Sequence, residues 1–141
     1  MSPVRVVLDT NVLLVSLSTR SPYHWALRAV AEGRATLCVT TGIALEYEEV
    51  VADRMGRAAG DVLTSFLDGV PSVEWVRVRY RWRLVTADPD DDKFADCALA
   101  AGATVVSEDR HFDPVRDLDF PPLRVVGIEG FRKLLDEGEG G

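Results

Sequence analysis

The sequence predicts an α/β protein of three layers, with a mainly parallel central sheet flanked by helices. Three observations carry this. Short β-rich runs alternate with helix-length stretches along the chain, the order that builds a parallel sheet through helical crossovers. The runs Val4–Leu8 and Ala103–Ser107 are largely apolar, and each delivers carboxylates at its C-terminal end, Asp9 in one case and Glu108 and Asp109 in the other. In an open parallel sheet that end is where ligands bind. Finally, 141 residues with 47% hydrophobic content suffice for a real core in one domain, expected over residues 1–136 with a flexible tail at 137–141.

Val4–Leu8 reads as the first strand, with Asp9 at its C-terminal edge and Asn11 in the turn behind it. Val12–Ser18 begins the crossover. Pro22, after Ser21, opens a helix through Gly33 with Trp25, Ala29 and Val30 inward. Ala35–Val39 is the second strand. Thr40 or Thr41 then caps a helix whose apolar stripe carries Ile43, Glu46 and Val50, while Glu48 points away from it. A second helix follows around Ala59–Leu67.

From Val76 the residues alternate strictly, which predicts a strand. Val76, Val78, Tyr80 and Trp82 fall on one face and Arg77, Arg79, Arg81 and Arg83 on the other. The arginine face fits either a solvated, charge-protected edge or a row that contacts phosphate or a second protomer. Asp90, Asp91 and Asp92 open a helix with Phe94, Cys97, Ala98 and Ala101 at helical spacing, and Gly102 stops it in the left-handed conformation. The strand Ala103–Ser107 follows, then a loop at Arg110–Pro114. Leu123–Val126 is the last strand and Ile128–Leu135 the final helix.

Composition narrows the function classes. The 16 basic and 23 acidic residues leave a net charge of −7, which disfavours a broad basic surface for nucleic acid. It leaves room for a nucleic-acid enzyme whose acids hold metal ions, since such acids no longer count as free charge. No apolar run approaches membrane-spanning length, and Asp9 and Asn11 break the first one, so no signal peptide is expected. The expectation is a cytoplasmic protein with no membrane partner. Cys38 and Cys97 lie far apart in apolar elements and read as free core thiols. Nucleophilic triads and phosphate-binding glycine loops are absent, and His24 and His111 stand isolated.

The acids remain. One carboxylate at a helix N-terminus needs no explanation beyond capping, but three in a row repel one another, and a cation is the natural relief. Asp9, a member of the Asp90–Asp92 run and Asp109 all fall at element ends, and Glu46 joins them from its helix. A glutamate on a core-facing stripe is costly unless it is paired, reaches backbone groups or binds metal. Hard ions such as Mg²⁺ or Mn²⁺ take oxygen ligands, and a site of few carboxylates leaves room for water and phosphate oxygens. Such a site activates water and stabilises charge on a phosphodiester.

These residues resemble the PIN domain family of metal-dependent ribonucleases, and within it the toxin components of toxin–antitoxin systems. The likeness rests on Val7-Leu-Asp9-Thr-Asn11, Leu45-Glu46-Tyr47-Glu48-Glu49-Val50, Asp88-Pro-Asp-Asp-Asp-Lys-Phe-Ala-Asp-Cys-Ala98 and Val106-Ser-Glu-Asp109, in that order over nearly the whole chain. It implies a PIN-like, Rossmann-like fold and a Mg²⁺- or Mn²⁺-dependent endoribonuclease acting on single-stranded or structured RNA. A cognate antitoxin and a homodimer are the partners it suggests. Residue by residue, it implies Asp9, Glu46, Asp91 and Asp109 as metal ligands and catalytic acids. Asp90 and Asp92 leave a one-residue ambiguity about the third. Asn11 matches the residue that supports the first acid, and Asp96 matches a further acid of the subgroup. Ser107 stands where Thr is commoner, and Asp92 where Asn is familiar.

Two rival classes differ at named positions. A phosphatase of the haloacid dehalogenase type, with Asp9 as nucleophile, wants a second aspartate where Asn11 stands. A receiver domain wants a lysine after a late strand, where neither Lys93 nor Lys133 falls. The remaining rival is a catalytically silent PIN-like module that binds RNA or protein.

Overall fold

A computed structural model describes residues 3–85, 88–116 and 118–140. Its strands are β1 (Val4–Leu8), β2 (Ala35–Val39), β3 (Val73–Trp75), β4 (Thr104–Val106) and β5 (Val125–Val126). They form one all-parallel sheet in the order β3-β2-β1-β4-β5. The helices are α1 (Thr10–Leu17), α2 (Trp25–Ala31), α3 (Thr41–Met55), α4 (Arg57–Gly69), α5 (Asp92–Ala101) and α6 (Ile128–Gly140). This is the α/β architecture that the alternation predicts.

β1 is the central strand, pairing Val6 with Leu37 on one side and Thr104 on the other. Val6, Val7 and Leu8 are all fully buried, so both faces of the sheet are covered. That explains an apolar run without alternation. The chain builds β2 and β3 to one side of β1, then returns through α5 to place β4 and β5 on the other. The strand order therefore reverses between β1 and β4, and such a switch point opens a crevice at the strands' C-terminal ends.

The helices close this frame. Trp25 of α2 packs on Phe131 of α6 with ring centroids 5.5 Å apart. The His24 Nδ1 lies 2.8 Å from the Ser16 carbonyl, tying the end of α1 to the start of α2. α3 and α4 meet at Gly56, whose φ of 95° is open to glycine at little cost. Cys38 and Cys97 are free and buried, and burial pushes both thiols up to about 12. No helix among the described residues is long and apolar enough to cross a membrane.

Three expectations change. The predicted helix from Pro22 begins only at Trp25. The final helix runs on to Gly140 and takes in residues that the sequence reading set in a tail; Gly141 lies outside the described residues. Most importantly, residues 76–83 form no strand, whereas Val73–Trp75 just before them do. The cause is the partner. β3 is an edge strand that pairs only with β2, and the Val76 amide bonds the carbonyl of Val39, the last residue of β2, at 2.7 Å. Beyond that point β2 has turned into α3, so the alternating segment has nothing to pair with.

A candidate metal centre at the β1–β4 crevice

Asp9 sits where β1 ends. Its amide donates to the Val106 carbonyl of β4 at 3.1 Å, and its Oδ1 caps α1 by accepting from the Val12 amide at 2.8 Å. Its Oδ2 accepts from the Ser107 hydroxyl, and Ser107 Oγ in turn accepts from the Asp109 amide at 2.9 Å. One serine thus links the acid after β1 to the acid after β4. Asp9 is 5% exposed. Burial raises its pKa above the ordinary carboxylate value, the bonds from Ser107 and Val12 oppose the rise, and the charges of Asp109 and Asp91 add to it.

Asp109 begins a 3₁₀ turn over Arg110–Val115, and its Oδ1 accepts from the His111 amide at 2.8 Å. That turn folds the imidazole back onto the acids. His111 Nδ1 lies 3.2 Å from Asp109 Oδ1, 3.2 Å from Asp91 Oδ2 and 3.8 Å from Asp88 Oδ2. The bond to Asp91 is the main cause of a raised imidazole pKa. Asp91 stands at the junction of a short 3₁₀ turn, Pro89–Asp91, with α5. Burial first, then Asp88 and Asp109, raise its pKa, against the hydrogen bond from His111.

Of the three consecutive acids, Asp91 alone meets this group. Asp90 is exposed. Asp92 accepts from the Val85 amide at 2.8 Å, and the buried Asp96 accepts from the Trp82 amide at 3.0 Å, so both fasten the segment before α5. Asn11 lies in the first turn of α1, exposed, while the support for Asp9 comes from Val12 and Ser107.

Glu46 is held beside this group rather than within it. The buried stripe of α3 is Ile43, Tyr47 and Val51, so Glu46 lies at its margin with its side chain 31% exposed. The Tyr47 hydroxyl donates to the Leu8 carbonyl, which registers α3 against the end of β1. Glu46 then accepts from the Thr10 hydroxyl and pairs with Lys93 Nζ at 2.6 Å. Its two partners are neighbours of Asp9 and Asp91 in sequence.

Among the described residues, one group of three potential ligands has its atoms within 4.8 Å of one another: Asp88, Asp91 and His111. Sequence reasoning used neither Asp88 nor His111. The signal available was local: an Asp two residues before a His can fold the ring back through an Asx turn, and Asp88-Pro89 is a turn opener. Two cavities flank the acids. One of about 430 Å³ is lined by Asp9, Asn11, Tyr23, Glu108 and Asp109 among others. The other, about 860 Å³, is bordered by Arg77, Arg81, Arg83 and Lys93 and by Asp90, Asp92 and Asp96, among others. Oxygen donors whose burial and mutual repulsion favour protonation are suited to a hard divalent cation, which relieves both costs at once.

A family profile described as PIN domain matches residues 5–111. No curated protein matches the chain. Solved structures that share its fold include three toxin–antitoxin assemblies by their names. VapBC2 from Rickettsia felis, crystallised bound to a DNA fragment from its promoter, gives a TM-score of 0.61 at 14% identity, covering 87% of this chain and 98% of the other. DNA-bound VapBC from Salmonella typhimurium gives 0.59 at 14% identity, covering 89% and 98%. FitAcB from Neisseria gonorrhoeae gives 0.54 at 17% identity, covering 87% and 97%. At these identities the likeness is one of fold.

Proposed function

The chain belongs to the PIN domain family, and from that premise we propose that it is a Mg²⁺- or Mn²⁺-dependent endoribonuclease, the toxin of a toxin–antitoxin pair. The observation that carries this reading is the convergence of Asp9 and Asp109, joined through Ser107, with Asp91, joined to Asp109 through His111. Asp9, Asp91 and Asp109 would hold the ion, with Asp88 beside Asp91. A divalent cation bound there lowers the pKa of water and stabilises charge on a phosphodiester. Ser107 orients the Asp9 carboxylate, and the Asp109 turn sets the imidazole of His111 against Asp91. Glu46, now paired with Lys93, would orient the attacking water or hold a second ion. The RNA is single-stranded or structured, the protein partners are a cognate antitoxin and a second copy of the chain, and the compartment is the cytoplasm.

A second reading, a catalytically silent RNA- or protein-binding module, draws on a specific observation. Lys93 already neutralises Glu46, and His111 already bridges the other acids. Cleavage of a long single-stranded RNA in Mn²⁺, Mg²⁺ or EDTA separates the two. We expect metal-dependent cutting that falls about a hundredfold or more in Asp9→Asn and Asp91→Asn, since metal stabilisation of the transition state is worth several kcal/mol. RNA binding without cutting in any metal sinks the nuclease reading and favours the module.

A further inference from the structure

Four arginines of this chain are gathered in one short segment, apart from those that meet a carboxylate. Arg5, Arg34 and Arg116 pair with Glu74, Glu32 and Asp113. Arg77, Arg79, Arg81 and Arg83 are exposed, and among the described residues no carboxylate lies within ion-pair distance of any of them. The charge of Arg81 reaches the Asp96 carboxylate, opposing the rise of its pKa; on a chain of net charge −7, four exposed guanidinium groups within seven residues mark a place for an anionic partner. Aromatic rings interleave with them. Tyr80 and Trp82 stand edge to face at 4.7 Å, and Trp82 and Phe120 at 5.8 Å. Tyr80 is 65% exposed and Phe120 80%, so this row of three rings offers two open ends to solvent.

The row is positioned on the site. The Trp82 and Val85 amides are held by Asp96 and Asp92 of α5, the helix that begins beside Asp91. The 860 Å³ cavity bordered by Arg77, Arg81 and Arg83 also reaches Lys93, the partner of Glu46, with Asp90, Asp92 and Asp96 along its α5 side. We propose that residues 77–83 with Phe120 form a docking platform for single-stranded RNA. Bases stack on Tyr80 and Phe120, the arginines take the phosphates, and the strand passes by Lys93 toward the acids. Unstacked bases and a charged backbone are what rings and guanidinium groups in alternation recognise. A duplex keeps its bases stacked inside and offers the rings nothing. This inference rests on the ribonuclease reading for the identity of the polymer.

The test is fluorescence anisotropy of a labelled single-stranded RNA and of a duplex RNA of equal length, in EDTA and over a range of salt. Wild type binds the single strand in preference to the duplex. Tyr80→Ala/Phe120→Ala weakens single-strand binding about tenfold or more with the salt slope unchanged, while Tyr80→Phe/Phe120→Tyr binds as wild type. Arg77→Gln/Arg79→Gln lowers the salt slope by about 1.4. Equal affinity for the duplex, no RNA binding by wild type, or unchanged affinity without the rings overturns the platform. So does a dimer, seen by sedimentation, that the ring-less variant loses while it still binds RNA, since the rings then serve a second copy. Cleavage run alongside separates the two proposals. Wild type that cuts while the ring-less variant binds normally sinks the platform alone, and ring-dependent binding without any cutting sinks the ribonuclease reading alone.

Discussion

Asp9 shows how a single residue serves the fold and opposes it. Its carboxylate caps α1 and accepts from Ser107, yet burial and two neighbouring acids raise its pKa from an ordinary 3.8. A carboxyl that the folded chain holds protonated more readily than the unfolded chain costs nothing below 3.8. Above that value it makes stability fall as pH rises through the raised folded pKa. Asn keeps a capping oxygen without the charge. In EDTA near neutral pH, Asp9→Asn should therefore melt above wild type, and the gap should close as the pH falls toward 3.8. Thermal melts across that range check this, and a gap that widens at low pH would contradict it. Asp9 and Asp109 were legible in the sequence because strand ends are legible, and Asp91 because it falls in a run of acids at a helix start. The meeting of Asp91 with His111 was not, because it joins positions twenty residues apart through a turn.

At the scale of elements, Glu108 shows that an acid lining the crevice also serves the fold. Its Oε1 accepts from the Ile128 amide at 2.7 Å, at the positive end of α6. A Cβ at Gly127 would lie 2.7 Å from that same oxygen, so Gly127→Ala pushes the carboxylate off the helix end. Each of Glu108→Ala and Gly127→Ala should cost about 1 kcal/mol, the worth of a cap. The double variant should cost no more than either single, a non-additivity that denaturant titration reads directly. Elements also show why pattern reading stops short. The stripe of α3 could be drawn through Glu46 or through Tyr47, and the larger side chain took the interior because its hydroxyl reaches the Leu8 carbonyl. The alternation of residues 76–83 was real, but a strand needs a partner as well as a pattern. β3 itself, three residues long, carried too few positions to show a period.

For the whole molecule, we expect the clustered acids to lower stability in the absence of metal, and a divalent ion should return that stability. Mg²⁺ or Mn²⁺ at about a hundred times its dissociation constant adds roughly 2.7 kcal/mol by mass action. We expect the melting temperature of wild type to rise by several degrees in millimolar metal and that of Asp91→Asn to stay fixed; equal shifts in both would place the ion elsewhere. The fold class was legible because alternation of elements and carboxylates at strand ends are properties of the whole chain.

The segment between β3 and α5 has a consequence for how such a protein can change. Past Val76 no sheet ladder holds its described residues; Asp96 and Asp92 hold it by the amides of Trp82 and Val85, with Val85 buried beneath. Backbone amides are the same in every residue but proline. Its outward side chains can therefore be exchanged as a block while the anchorage stays intact. On the proposed platform, target preference would in this sense be a replaceable cassette on a fixed frame, open to drift in nature and to grafting at the bench.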